Sequence, residues 1–304
     1  MTAQLGTVGT PLGRTPVAHR LALAVAPVDA VTRRPAPPQV SVGRETPRSL
    51  QRATRRHRPS ADPQRVAVSV AAAAGAHIVV HNRSVPAAPP AGAPPGTPPE
   101  LTIRITDPGG RFVPRRVIVP IWTLDEVRSA DDDPATGGAV PAASRTIRPW
   151  LLPGAAYLPP GGATGARLRV VRGGSPVRWP RVEVFDAGGA RVGWAHGDEH
   201  GQVLFLLDSL GSGLPSGPVP VALRVHIPPA PPPNPLPPAD PDTDPLWDLV
   251  PEPLPRQPVP VGAFTDDATI GVAVPAGYIT ASADVVWTLV PGRVNTLADI
   301  PFTP

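Results

Sequence analysis

The chain contains no cysteine and no lysine in 304 residues. Without a thiol there is no disulfide, no thiolate nucleophile and no Cys-ligated zinc. Without Lys, all 28 basic residues are Arg, which accounts for a sequence pI near 10.7 at a formal net charge of only +4. A GC-rich coding sequence produces such an all-Arg set, so the high pI is not by itself a nucleic-acid signature. Aromatic residues are scarce, at 4%. Cores must then be built mainly from Val, Leu and Ala, which suits thin β-sandwiches better than a large enzyme core. No apolar run approaches the roughly eighteen residues of a membrane span. Also missing are a GxSxG elbow, a GxxxxGK phosphate loop and a strand followed by GxGxxG, so no nucleophile or nucleotide signature is present.

What the chain has in excess is proline and glycine. Its 49 Pro and 29 Gly fill about a quarter of all positions, so much of it is expected to be loop or linker. The length is sufficient for two domains, each with its own core. Arg14, His19 and Arg20 precede the apolar run Leu21 to Ala26, as in a short signal peptide. That run is only six residues long and meets Pro27 and Asp29, so it reads as a first strand, and cytoplasmic synthesis without export is expected.

Runs of about five residues rich in Val, Leu, Ile and Phe, bounded by Gly, Pro and Asp, read as strands joined by hairpins. From Arg167 to Leu207 the chain reads as four such runs, ARLRVV, RVEVF, RVGWAH and QVLFLL. Earlier, LTIRIT and FVPRRVIVPIW flank the turn Asp107-Pro108-Gly109-Gly110. The segments ITDPGGRFVPRRV and VFDAGGARVGWAH share a strand, an Asp, a Gly pair, an Arg and an outgoing strand, which suggests two similar modules. The expected fold is therefore all-β, with two tandem small Ig-like or prealbumin-like β-sandwiches and long Pro-rich linkers and arms. Residues 1–13 read as a flexible N-terminal arm. Residues 14–122 form the first sandwich, with a basic loop at 44–65 and an Ala/Pro loop at 86–99. Residues 123–147 form a linker in which Leu124 to Val127 could make one helical turn. Residues 148–304 form the second sandwich, with a core at 166–227 and a Pro-rich excursion at 228–260.

The order GG-x-P, RVEVF, a Gly pair and RVGWAHGDEHGQVLFLL resembles the carboxypeptidase regulatory-like domain, a prealbumin-like seven-stranded sandwich. Gly174, Pro176, Val182 and Val184 match its first part, and Asp198, Gly201, Val203 and Phe205 its second. Gly197 stands where that family has Thr, and Pro180 where it has Ala. The resemblance covers under a quarter of the chain and implies a non-catalytic module. More loosely, the order RFVPRRVIVPIW, RPWLLPGAAYLPPG and the regulatory-like stretch is similar to accessory proteins of phage-tail-like contractile injection particles. That resemblance implies a baseplate, cap or adaptor role.

Several clusters carry chemistry-bearing residue types. His196, Asp198, Glu199 and His200 have those of a metal site, but they fall on a hairpin with no HExxH helix and read as a turn. Asp240, Asp242 and Asp244 are interleaved and followed by Pro, which rules out an EF-hand loop. No metal, no cofactor and no catalytic residue is expected. The segment Arg44 to Arg65, including Arg52, Arg55, Arg56 and Arg58, could meet an anionic partner surface. It lacks aromatics for stacking bases, so nucleic acid is not an expected partner. Trp150 and Tyr157, in the segment that opens the second module, and Trp247 complete the candidate partner-binding set.

The functional expectation is a non-enzymatic structural or adaptor component whose partners are other subunits of a multiprotein assembly. The alternative is a binding module for carbohydrate or a cell-envelope surface, with Trp179, Trp194, Trp247 and Trp287 as its exposed aromatic platform.

Overall fold

The computed structural model describes residues 20–45, 70–72, 76–81, 97–132, 140, 142–207, 217–229, 246, 248–256 and 266–304. Among these the chain is all-β, with twenty short strands in five sheets and little helix. The expected arm at 1–13, most of the basic loop and of the Ala/Pro loop, and most of the Pro-rich excursion lie outside the described residues.

Two apolar clusters organise the strands. The first lies between two four-stranded sheets. One has the order β4 (Val70–Ala72), β5 (Ala76–His81), β1 (Arg20–Val25), β8 (Thr146–Ile147). The other runs β16 (Glu252–Pro253), β7 (Arg115–Pro120), β6 (Glu100–Thr106), β3 (Ser41–Arg44). A ribbon of β2 (Val28–Asp29) and β9 (Trp150–Leu151) adjoins them. The period-two pattern of LTIRIT explains the burial: Leu101, Ile103 and Ile105 point inward and pack with Leu23, Val25, Val42, Val117 and Val119.

The second cluster also joins two sheets. One is built on β10 (Gly165–Arg172), which pairs with β14 (Gln202–Leu206), β11 (Ser175–Pro176), β19 (Val294–Thr296) and β20 (Ile300–Pro301). The other has the order β13 (Arg191–His196), β12 (Arg181–Phe185), β15 (Val219–Ile227), β17 (Ile279–Thr280), with β18 (Val285–Leu289) also on β15. Val170, Val182, Val184, Phe205, Leu223 and Leu289 fill the space between them.

The Asp-led hairpins form as the sequence suggests, and for one shared reason. Each Asp carboxylate accepts the backbone N–H groups two and four residues on: Gly109 and Arg111 at Asp107, Gly188 and Ala190 at Asp186, His200 and Gln202 at Asp198. Such an Asx turn satisfies the backbone groups that the reversal leaves free. Gly201 closes the third turn at φ +73°. A Cβ there would lie 2.7 Å from the Val170 carbonyl oxygen and 2.8 Å from that of Val177.

Three features depart from the linear reading. The helical turn expected at 124–127 is a nine-residue helix, Leu124–Asp132. Thr123 and Glu126 start it as a reciprocal capping box, each side chain accepting the other's backbone N–H. The segment 146–151, read as linker and start of the second module, supplies β8 and β9, which pair in parallel with β1 and β2. Glu252–Pro253, inside the expected excursion, pairs in parallel with β7. Parallel pairs between distant segments carry no turn signal, so sequence spacing does not announce them.

Candidate functional site

Among the described residues, a heavily bonded polar site lies where the two clusters meet. In β7 the inward row is Arg115, Val117, Val119, so an Arg occupies a core position at the strand's start. On the second cluster's β12, Arg181 opposes His196 of β13 on one side and His226 of β15 on the other. Between Arg115 and Arg181 stands Glu252 of β16. Its carboxylate accepts from Arg115 Nη2 at 2.6 Å and from Arg181 Nη2 at 2.9 Å. All three residues are at most 3% exposed. Arg115 also donates to the carbonyls of Trp150 (2.9 Å), Thr269 (2.8 Å) and Ala268 (2.6 Å). The last two belong to a single-turn helix, Asp267–Ile270, capped by the Asp266 carboxylate on the Thr269 N–H.

Burial pushes the Glu252 carboxyl up, but the Arg115 and Arg181 guanidinium groups outweigh it and hold Glu252 below the usual carboxylate range. His196 is 1% exposed, and its Nε2 donates to the Gly271 carbonyl at 2.7 Å. Burial first, then the charges of Arg181 and Arg115, push it well below the ordinary imidazole value. It is therefore neutral, and its Nδ1 is buried without a partner. What these groups do chemically is hold positions, because the charges are bonded to one another and shut off from water.

Glu252 is one station on a strap, residues 248–256, that touches both clusters along its length. Asp248 accepts from Arg178 Nε (2.6 Å) and Nη2 (2.9 Å) and from the Trp179 indole N–H (2.7 Å). Leu246 and Leu249 pack with the fully buried Trp179. The Leu249 carbonyl accepts from Arg116, whose guanidinium also forms two 2.7 Å bonds to Glu45. Leu254 enters the first cluster and donates its N–H to the Ile118 carbonyl. Arg256 lies 3.5 Å from the Trp122 ring centroid and bonds Glu126 of the helix Leu124–Asp132. Trp179 itself sits at φ +56°, a conformation that costs a non-Gly residue about 1–3 kcal/mol. It is held there by its indole bond to Asp248, by its N–H to the Asp198 carbonyl, and by the Tyr278 hydroxyl on its own carbonyl.

The residues singled out in the sequence are distributed as follows. Trp150 is half-buried, stacked on Trp194 with centroids 6.2 Å apart, and the Arg33 guanidinium lies 3.7 Å from its ring centroid. Beside this stack is a groove of about 220 Å³ lined by Val31, Arg33, Leu152, Pro153, Trp194 and Leu206, among others. Tyr157 is buried in the first cluster, with its hydroxyl donating to the Asp29 carboxylate at 3.0 Å. Burial and then the Asp29 charge raise its pKa well above that of a free phenol. Arg52, Arg55, Arg56, Arg58 and Trp247 lie outside the described residues.

The expected aromatic platform needs correction. Trp179 is fully buried against Leu246 and Leu249, and Trp287 is partly buried against the second cluster. Within His196-Gly-Asp-Glu-His200 the two imidazoles part, His196 into the junction and His200 outward at 71% side-chain exposure. Among the described residues no three His, Asp or Glu side chains converge as a metal would require.

No family model, curated protein or solved structure matches this chain. The junction residues Arg115, Arg178, Arg181, Asp248 and Glu252 were not singled out in the sequence. The one local signal was Arg115 in phase with Val117 and Val119, a charge at an inward position of an alternating strand.

Proposed function

We propose that the protein is a structural or adaptor component of a multiprotein assembly, built from two tandem Ig-like or prealbumin-like β-sandwiches. The observation that carries this reading is the strap. Nine residues touch both clusters through a buried Arg–Glu–Arg bridge, a buried Trp and a surface Arg–Glu pair. A part that must keep two modules in one orientation while neighbours bind them needs such a tie; modules joined by a linker alone move freely. The match of Asp198, Gly201, Val203 and Phe205 to the carboxypeptidase regulatory-like pattern supports a non-catalytic module, and the Asx turn at Asp198 is in keeping with it. The looser resemblance supports a baseplate, cap or adaptor place in a phage-tail-like contractile injection particle, assembled in the cytoplasm. Its partners are then other protein subunits.

The test is affinity capture of the tagged protein from its native host, with mass spectrometry and negative-stain microscopy of what accompanies it. Co-recovery with tube, sheath or baseplate proteins on rod-shaped particles supports the reading, and recovery alone as a monomer overturns it. The second reading, a carbohydrate or envelope-surface module, is favoured by the groove beside the Trp150–Trp194 stack, where a sugar face could lie on the indole. A glycan panel that leaves tryptophan emission unchanged removes it.

A further inference from the structure

The junction contains one titratable group that its neighbours cannot tolerate in charged form. The charges acting on His196 are Arg181 from β12 and Arg115 from β7; both are bonded to Glu252 of the strap, and Tyr278 lies in the field of the same Arg181 and Glu252. The segment after the single-turn helix presents the Gly271 carbonyl, already bonded to Nε2. Two guanidinium charges are therefore set against one carboxylate, and the carboxylate is bonded to both. A proton added to His196 must go to Nδ1, which is buried and has no acceptor. It would place a third cation in a site with one anion. The closed junction thus admits only neutral His196, whereas a solvated His196 accepts a proton freely.

We propose that this junction is an acid-releasable latch, in which protonation of His196 lifts the strap 248–256 off both clusters while each stays folded. This goes beyond the assembly role and stands whether or not the partners are those of an injection particle. The direction follows from linkage. His196 is held neutral in the closed state and titrates at its ordinary value, near 6.5, once open, so closure is fully favoured above that pH and weakens below it. Glu252, held below the carboxylate range, weakens closure only at lower pH still. Between pH 6 and 4.5 the open-to-closed ratio should rise by about tenfold per pH unit.

The experiment is hydrogen exchange of the full chain between pH 7 and 4.5, corrected for intrinsic exchange rates, followed by mass spectrometry. The expected result is an opening of peptides spanning 252–254 that rises about tenfold per unit below pH 6. Peptides from β1 and β6 of the first cluster and from β10, β12 and β15 of the second should stay protected, and His196→Gln should flatten the profile. A pH-independent opening of the wild-type strap overturns the proposal. So does a parallel loss of protection in both clusters, or a His196→Gln protein that keeps the wild-type slope. The wild-type profile decides the matter even if the variant fails to fold.

Discussion

Replacing Arg115 by Met keeps an unbranched apolar stem and removes the charge and every side-chain donor. Glu252 then loses the contacts at 2.6 and 3.4 Å, and the carbonyls of Trp150, Ala268 and Thr269 lose their donors. The buried carboxylate retains only Arg181. Breaking a buried ion pair by removing one partner costs about 3–5 kcal/mol, because the remaining charge has no water to return to. With a urea slope of about 2 kcal/mol per molar, Arg115→Met should lower the unfolding midpoint by roughly 2 M. Tryptophan emission follows the transition, since Trp179 and Trp150 both border the junction. Replacing all three charges together, Arg115→Met, Arg181→Met and Glu252→Leu, should recover much of the loss, because no buried charge then remains. A single Arg115→Met that costs less than about 1 kcal/mol, within the range of surface substitutions, would refute the account of the junction.

Other consequences are open to simple assays. Both tyrosines of the chain titrate above the free phenol, Tyr157 through burial and the Asp29 charge and Tyr278 chiefly through burial. The native protein should show clearly less tyrosinate absorbance at pH 10 than two free phenols and should lose stability as pH rises past that value, where the unfolded chain ionises; half-ionisation in the folded state at pH 10 would contradict this. Gly201→Ala forces a Cβ against two carbonyl oxygens at a positive φ and should cost about 1–3 kcal/mol, seen as a lower Tm; an unchanged melt would mean the turn is misread. Asp248→Asn keeps the shape of the strap but weakens its bonds to Arg178 and Trp179, with an expected cost of about 1–2 kcal/mol and a shift in Trp179 emission. Emission identical to wild type would place Trp179 outside the strap's control.

The strands were legible because their physics is local. LTIRIT and RVEVF alternate with the period of a half-buried strand, and each Asp-led turn contains its own hydrogen bonds, so a window of ten residues holds the information. The junction is the opposite case. Glu252 lies 137 residues from Arg115 and 71 from Arg181, and β16, β8 and β9 join the sheets as parallel pairs. Within PEPLPRQP nothing distinguishes Glu252 from a solvated acid in a Pro-rich linker. Trp179 misled for a related reason. Expected in an exposed aromatic platform, it is buried by Leu246, Asp248 and Leu249, which return from a distant segment.

The strap ties together two clusters that also meet directly, where Leu204, Leu206 and Val294 pack against the first. Because the chain has no cysteine, Ser41→Cys and Thr288→Cys, exposed sites on β3 and β18, can be spin-labelled without background. The distance distribution between them at pH 7 should be single and narrow in the otherwise wild-type protein, and measurably broader after Glu252→Ala. A broad distribution with the strap intact would contradict the account.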